Sequence, residues 1–130
     1  PELEFFSGKV AYRTEFEAGE AAAGSSWVLD LGELHESATV FLNDENLGVI
    51  WTQPYRLDLS GKVKPGTNTL RLEVINLLAN RVIGREKGGL HIQDRHVFVN
   101  YDYKEFDGAQ WEPLASGLLG PVKMLSFNEN

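Results

Sequence analysis

Aromatic side chains carry the clearest chemical signal in this sequence. Trp51 is followed within four residues by Gln53 and Tyr55, and Trp111 lies in a polar stretch of the chain. Flat aromatic rings pack against the C–H faces of sugar rings, and ligand sites pair an apolar platform with a few convergent polar groups. The pattern predicts stacking by Trp51, Tyr55 and Trp111, with Gln53 bonding a hydroxyl. Large aromatic residues are also common in cores, so Trp51 and Tyr55 equally fit core packing or loop anchoring.

Other polar residues fit the same chemistry. Asn80 and Arg81 follow an apolar run, and a guanidinium group can hold hydroxyls or a carboxylate in a bidentate grip. Arg81 could instead form a structural ion pair with Asp58 or Glu86. His91 and Tyr103 lie in a long aromatic-rich stretch, residues 84–114, where loop side chains can contact a ligand. These four residues complete the predicted carbohydrate-binding set.

Catalysis by this chain has little support in the sequence. Its three histidines are not accompanied by a Gly-x-Ser-x-Gly motif, and nothing marks two of its 19 acidic residues as a glycosidase pair. Residues 43–46, Asn-Asp-Glu-Asn, lack the spacing of an EF-hand loop and are typical of a solvated turn. We therefore predict no catalytic residues and no required cofactor.

The elements that would position these residues are strands. Apolar residues alternate with polar ones in five segments, which is typical of half-buried antiparallel strands. Turn-forming residues at 43–46 predict a hairpin, and those at 65–68 predict a tight turn. Residues 19–26 are mostly small and are predicted to form a loop. No long segment of the sequence has apolar residues at helical spacing. Trp27 is predicted to lie in the core. The alternating residues are Val10, Tyr12 and Phe16; Trp27, Leu29 and Leu31; Val40 and Leu42; Leu70, Leu72 and Val74; and Val122, Met124 and Ser126.

Composition narrows the class of protein. The 130 residues suit one domain, predicted to span residues 1–130. A net charge of −7 repels phosphate backbones, which argues against nucleic acid as a partner and favours neutral glycans over polyanionic ones. The absence of cysteine excludes disulfides and thiol catalysis. No apolar stretch approaches the ~20 residues of a membrane helix, so no membrane partner is predicted. Because the first residue is Pro1, we expect the chain to be cut from a larger protein.

Several segments, taken in order along the chain, follow the pattern of a known domain: residues 6–13, 27–32, 38–43, 47–51, 54–59 and 66–70, and later residues 76–84 and 113–122. The ordered set resembles the galactose-binding-like domain of glycoside hydrolase family 2. The two later segments are most similar to the C-terminal variant of this domain in family 106 α-L-rhamnosidases and related enzymes. Two positions depart from the pattern: Asp44 replaces the usual Gly, and Leu78 stands where an aromatic residue is common.

The resemblance implies an all-β jelly-roll sandwich of two antiparallel sheets, without catalytic residues, beside the catalytic domain of a glycoside hydrolase. It also allows a structural calcium, whose ligands the sequence does not identify. Our first hypothesis is a non-catalytic carbohydrate-binding module that targets a secreted or periplasmic bacterial enzyme to plant or algal polysaccharide. The alternative is a structural domain that braces the catalytic domain and binds no sugar itself, because fold alone does not choose between these roles.

Overall fold

The structure of the protein is a computed structural model that describes residues 4–89 and 110–127. Its backbone contacts divide the chain into two compact units, which are described separately. The prediction of a single domain over residues 1–130 stays a prediction. The larger unit comprises Lys9–Asn76 and Ser116–Asn130, and the smaller comprises Pro1–Gly8 and Leu77–Ala115.

In the described residues of the larger unit nine strands form three sheets, and every pair of neighbouring strands is antiparallel. The largest sheet has the order β1-β7-β4-β5, the second has the order β6-β2-β9, and β3 pairs with β8. The strands are β1 (Lys9–Ala18), β2 (Ser26–Asp30), β3 (Glu33–His35), β4 (Ser37–Leu42), β5 (Glu45–Ile50), β6 (Arg56–Asp58), β7 (Gly66–Ile75), β8 (Gly117–Gly120) and β9 (Lys123–Phe127).

The core lies between the inner faces of these sheets. Leu29 of β2 is fully buried in one cluster with Val40 of β4 and Leu72 of β7. Trp27 packs against this cluster, as predicted, and its indole Nε1 donates to the carbonyl oxygen of Ala22 at 3.0 Å. The alternation of apolar and polar residues places one face of β4 and of β7 in the core, where every second residue is buried. The predicted half-buried face of β1 is wrong in part, because Tyr12 is 43% exposed and only Ala18 of that strand is buried. The predicted all-β sandwich of antiparallel sheets is confirmed.

The predicted hairpin joins β4 to β5 through Asn43 and Asp44. Both residues have positive φ angles, 50° and 67°, as a two-residue turn of this kind requires. The Asn43 amide donates from Nδ2 to Oδ1 of Asn68 at 2.9 Å, and its Oδ1 accepts from the Thr69 backbone N–H at 2.9 Å. Asn68 is fully buried, and its amide bonds the carbonyl oxygens of Lys64 and of Gly66. These bonds tie the hairpin to the start of β7.

The smaller unit contains a helix that the sequence analysis did not predict, α1 (Ala79–Lys87). Its buried residues are Asn80, Ile83 and Glu86, spaced three apart on one face. Only Ile83 of these is apolar, so the buried face of this nine-residue helix is mostly polar. A side chain at Gly84 would collide with the Phe5 ring, since an added Cβ would lie 2.5 Å from its Cγ. In residues 4–89 and 110–127 no helix is long and apolar enough to cross a membrane.

A second correction concerns residues 19–26, which were predicted to form a loop. Residues Glu20–Gly24 form a 3₁₀ helix, and Ala22 in its middle is buried against the core. The Ser25 hydroxyl donates to the carbonyl oxygen of Ala21 at 2.9 Å, which closes the last turn. Short 3₁₀ segments need no hydrophobic period, and this one is held by a single buried methyl group and its end contacts.

Candidate functional site

The segment that joins β5 to β6 forms one wall of an open depression in the larger unit. The depression has a volume of about 430 Å³, which falls within the range of small-ligand sites, about 300–1,000 Å³. The Gln53–Pro54 peptide bond in this segment is cis. The residues lining the depression are Asp30, Gly32, Gln53, Pro54, Tyr55 and Arg56.

An ion pair between neighbouring strands forms the floor of this depression. Asp30 at the end of β2 lies directly opposite Arg56 at the start of β6. The Arg56 Nε donates to Oδ2 of Asp30 at 2.8 Å, while Oδ1 accepts from the backbone N–H of Gly32 at 2.9 Å. The carboxylate is therefore held at both oxygens, and its side chain is 19% exposed against 56% for Arg56. Fixed charged groups of this kind can bond a ligand without first being ordered.

The close approach of two glycines shapes the neighbouring wall. Gly32 has a φ angle of +67°, and an added Cβ would lie 2.5 Å from the carbonyl carbon of Gly120. Backbone hydrogen bonds hold the other side, where Leu31 N–H donates to the Tyr55 carbonyl oxygen at 2.9 Å. Gly32 follows Asp30 by two residues, so the turn at Gly32 shapes this wall of the depression. The same turn also positions the Gly32 backbone N–H that donates to the Asp30 carboxylate.

Electrostatics keep Asp30 ionised. The backbone N–H of Gly32 and then the Arg56 guanidinium lower the pKa of the Asp30 carboxyl below its ordinary value, and Lys123 adds a smaller effect in the same direction. Lys123 lies directly opposite Asp30 on β9, so Arg56, Asp30 and Lys123 form one row across the sheet. The pKa of Asp58 on β6 is also lowered, mainly by its hydrogen bonds with Ser60.

Two of the predicted sugar-binding residues, Gln53 and Tyr55, line the depression together. Gln53 is exposed, whereas Tyr55 is half-buried and also packs against the core, so that it anchors the segment as well. Trp51 begins the same segment and is 69% exposed, which leaves its ring open to solvent. It is not among the residues that line the depression. Sugar binding by these three residues stays a prediction.

The other predicted residues that the structure describes lie in the smaller unit. Asn80 is 2% exposed, and its amide both donates to and accepts from the backbone of Leu114 at 2.8 Å. Its polar atoms are thus used within the smaller unit, and we do not carry Asn80 into the proposed site. Arg81 is exposed on α1, and Trp111, in the same unit, is 52% exposed. His91 and Tyr103 lie outside the described residues.

Sequence reasoning missed Asp30, Gly32 and Arg56. Asp30 stands 26 residues before Arg56, and only the pairing of β2 with β6 brings the two together. One signal was present in the sequence, because Asp30 ends an alternating strand and is followed closely by Gly32, an arrangement typical of a tight turn beside an outward carboxylate. Within the described ranges no group of three His, Cys, Asp or Glu side chains could hold a metal ion. The predicted structural calcium stays a prediction.

The fold defines the class of the larger unit as an all-β domain built from antiparallel sheets around one core. Residues 3–106 match the family model for the glycosyl hydrolase 2 galactose-binding domain-like family. The match covers most of the chain, and the chain therefore belongs to this family. The resemblance inferred from the ordered segments is confirmed.

Relatives of this chain are much longer proteins. It is 34% identical over 145 residues to a protein of Formosa agariphila named "Putative beta-glucuronidase", covering 94% of this chain and 12% of that protein. Among solved structures, a rhamnosidase from Novosphingobium sp. PP1Y has a TM-score of 0.72 and 32% identity, over 95% of this chain and 11% of that one. A β-glucuronidase from an uncultured Clostridium sp. shares the fold, with a TM-score of 0.52 and 24% identity over 58% of this chain and 14% of that one. This chain thus spans about an eighth of the length of each of these relatives.

Proposed function

We propose that this chain is a non-catalytic carbohydrate-binding domain of a glycoside hydrolase, and that it binds sugar in the depression between β2 and β6. The observation that carries the proposal is the convergence of Gln53 and Tyr55 on the fixed Asp30–Arg56 pair in one open depression. Hydroxyl groups of a sugar both donate and accept hydrogen bonds, and this set offers a carboxylate, a guanidinium and an amide at one place.

The shape of the site supports weak and reversible binding. The depression is open, three of its lining residues, Gln53, Pro54 and Arg56, are exposed, and only Tyr55 offers an aromatic surface in it. Such shallow, wet sites give dissociation constants on the order of 10 µM to 1 mM. Attachment to a catalytic domain raises the local enzyme concentration on a polysaccharide without any further contact. Targeting of a secreted or periplasmic bacterial enzyme to plant or algal polysaccharide fits this role.

Affinity electrophoresis tests the proposal on the 130-residue chain. The gels contain neutral polysaccharides rich in glucose, galactose or rhamnose, and the Gln53→Ala variant is run beside the wild type. We expect at least one gel to retard the wild type and Gln53→Ala to lose most of that retardation. Thr52→Ala is the matched control, because Thr52 is the exposed neighbour of Gln53 and does not line the depression.

Three outcomes contradict this proposal. Migration that is unchanged across all gels, for a chain shown to be folded by circular dichroism, overturns sugar binding. Retardation that survives in Gln53→Ala but disappears in Trp111→Ala places the sugar in the smaller unit instead. Release of reducing sugar from any of these polysaccharides contradicts the non-catalytic role.

A second candidate function is a structural brace for the catalytic domain. It is favoured by exposed apolar side chains in the smaller unit, namely Leu78, Trp111 and Leu114, which are 62%, 52% and 52% exposed. Exposed apolar side chains that lie together can pack on another domain, and such a patch is what the brace would need. The small share of each relative that this chain spans fits such an accessory role.

The brace is tested in a full-length enzyme that carries this domain. We expect charged substitutions at Leu78 and Leu114 to lower its thermal stability if these residues pack on a neighbouring domain, and to leave it unchanged if they face solvent. Gln53→Ala in the same enzyme separates the two functions, because a site for sugar affects retention on polysaccharide and not stability.

A further inference from the structure

The charges around the depression are arranged in opposing pairs. Arg56 and Lys123 lie on either side of Asp30 across the sheet, and side chains directly opposite one another share a face. Asp58 lies two residues after Arg56 on β6 and therefore on that same face. Two positive and two negative groups meet there, so the site is close to neutral although the chain carries −7.

The guanidinium of Arg56 is only partly used by Asp30. The pair is made through Nε at 2.8 Å, and within the part of the chain that the structure describes neither terminal nitrogen of Arg56 has a hydrogen-bond partner. These nitrogens form a planar fork that fits two neighbouring oxygen atoms. Two kinds of sugar group fit such a fork: a pair of adjacent hydroxyls, or the carboxylate of a uronic acid.

The fixed carboxylate of Asp30 distinguishes these two ligands. A hydroxyl that accepts from Arg56 can still donate to Asp30, whereas a uronate carboxylate only accepts. Any anion held by the Arg56 fork would also stand close to the negative charge of Asp30. Asp30 does not move away easily, because both its oxygens are bonded, one by Gly32 N–H and one by Arg56. Two like unit charges about 4 Å apart repel by about 1 kcal/mol in bulk water and by more near a protein surface, which weakens binding of the anion about fivefold or more.

We propose that Asp30 is the specificity-determining residue of this site, and that it selects neutral sugars with adjacent hydroxyls over uronic acids. The inference rests on the proposed function and adds to it the charge class of the ligand. Replacing Asp30 with Asn removes its negative charge and keeps the shape of its side chain. This change should reverse the preference for neutral sugars, because Arg56 is then left as an unbalanced cation beside the ligand.

Calorimetric titration with matched glycosides tests this inference. The probes are methyl β-D-glucoside with methyl β-D-glucuronide, and methyl β-D-galactoside with methyl β-D-galacturonide. For the wild-type chain we expect the neutral member of a pair to bind about tenfold more tightly than the acid. For Asp30→Asn we expect the ratio to move by about tenfold or more toward the acid.

Asp58→Asn is the matched control. It removes the same charge from the same face of the sheet, but Asp58 does not line the depression. We expect it to shift the ratio much less than Asp30→Asn does. An equal shift in both variants overturns the assignment to Asp30, because the general charge of the face would then account for the selectivity.

Salt dependence provides a readout that needs no variant. Raising the salt concentration from about 20 mM to about 500 mM screens charge repulsion, so the wild-type preference for the neutral member should fall toward one. A preference that does not change with salt contradicts the proposal. Tighter binding of the acid by the wild type also overturns it and leaves sugar binding itself intact. No binding of either member, by a folded chain, overturns the proposed function as well.

Discussion

Gly32 occupies a position that only glycine fits. Its backbone has a φ angle of +67° and lies against the backbone of Gly120, where an added Cβ would approach to 2.5 Å. Both atoms at this contact belong to the main chain, so no side chain can turn aside to make room. The same residue lines the depression and donates its N–H to Asp30. Fold and site therefore depend on one residue here.

Gly32→Ala should lower the free energy of unfolding by at least about 2 kcal/mol, because it combines a steric collision with a strained φ angle. Urea unfolding followed by tryptophan fluorescence measures the change. Gly19→Ala is the control, since Gly19 has a φ angle of −69° and nothing lies within 4 Å of its added Cβ. We expect the control to change stability by less than about 0.5 kcal/mol. Equal effects in the two variants would contradict the account of this turn.

The Asp30–Arg56 pair makes a pH-dependent contribution to stability. Because the pKa of Asp30 is lowered in the folded protein, first by Gly32 N–H and then by Arg56, the stabilisation is present above the ordinary Asp pKa, ~3.9, and is lost as pH falls through the lowered value. Arg56→Met removes the charge of the partner and keeps much of its side-chain length.

We therefore expect Arg56→Met to be less stable than the wild type at neutral pH, and the difference to shrink as the pH falls below ~3.9. Urea unfolding midpoints at a series of pH values measure it. Carboxyl resonances of Asp30, followed by NMR, should titrate at higher pH in the variant. A stability difference that grows as the pH falls has the wrong sign for this pair.

At the scale of elements, one residue of the β4–β5 hairpin, Asn43, belongs both to the turn and to a hydrogen-bond network with the start of β7. Asn43 and Asp44 both have positive φ angles, but only Asn43 bonds the start of β7. Glycine is preferred at the second position of such a turn, and the family pattern has glycine where this chain has Asp44. The two positions should consequently respond in opposite ways to the same substitution.

Asp44→Gly should raise the free energy of unfolding by a few tenths to about 1 kcal/mol, because it relieves the positive φ angle without removing a bond to β7. Asn43→Gly should lower it by about 1–2 kcal/mol, because the bonds to Asn68 and Thr69 are lost. Chemical unfolding of both variants measures the two signs. If Asp44→Gly instead lowers the free energy of unfolding, the Asp44 side chain stabilises the folded protein and this interpretation of the turn is wrong.

Six of the nine strands in the described residues were predictable from sequence, and the helices were not. Alternating apolar residues and the turn at residues 43–46 were sufficient for β1, β2, β4, β5, β7 and β9. The predicted burial holds for β4 and β7, which bury every second residue, whereas in β1 only Ala18 is buried and Tyr12 is 43% exposed. In α1 the buried face is formed mainly by Asn80 and Glu86, and its sequence contains Val82, Ile83 and Gly84, which favour helix weakly. The helix depends on tertiary contacts, such as that between Phe5 and Gly84, which sequence periodicity does not show.

For the depression, the local sequence pattern identified only residues of the wall that the segment between β5 and β6 forms. Gln53 and Tyr55 lie in a segment whose aromatic and polar residues stand close together along the chain, which made them visible. The Asp30–Arg56 pair is formed by residues distant in sequence, and the order of strands in a sheet decides which side chains meet. Asn80 looked like a ligand contact because buried and exposed amides are identical in sequence, and its bonds to Leu114 distinguish the two.

At the scale of the whole molecule, net charge and local charge differ. The value of −7 predicts repulsion of polyanions, but the face around Asp30 carries balanced charges, so ligand selectivity there depends on individual groups and not on the total. The chain spans 12% and 11% of the length of two of its relatives. A weak binding site can still hold a long enzyme near its substrate, because the site is covalently attached to the rest of that enzyme. Under the proposed function, a balanced local charge fits weak binding of neutral polysaccharide.

Amide NMR titration of the 130-residue chain tests the central claim most directly. The ¹⁵N-labelled protein is titrated with methyl β-D-glucoside, methyl β-D-galactoside and methyl α-L-rhamnoside in turn. For at least one glycoside we predict saturable shifts that are largest at the backbone amides of Gly32, Gln53, Tyr55 and Arg56, around the depression. Absence of saturable shifts for all three, or shifts confined to Arg81, Trp111 and their neighbours in the smaller unit, would contradict the account.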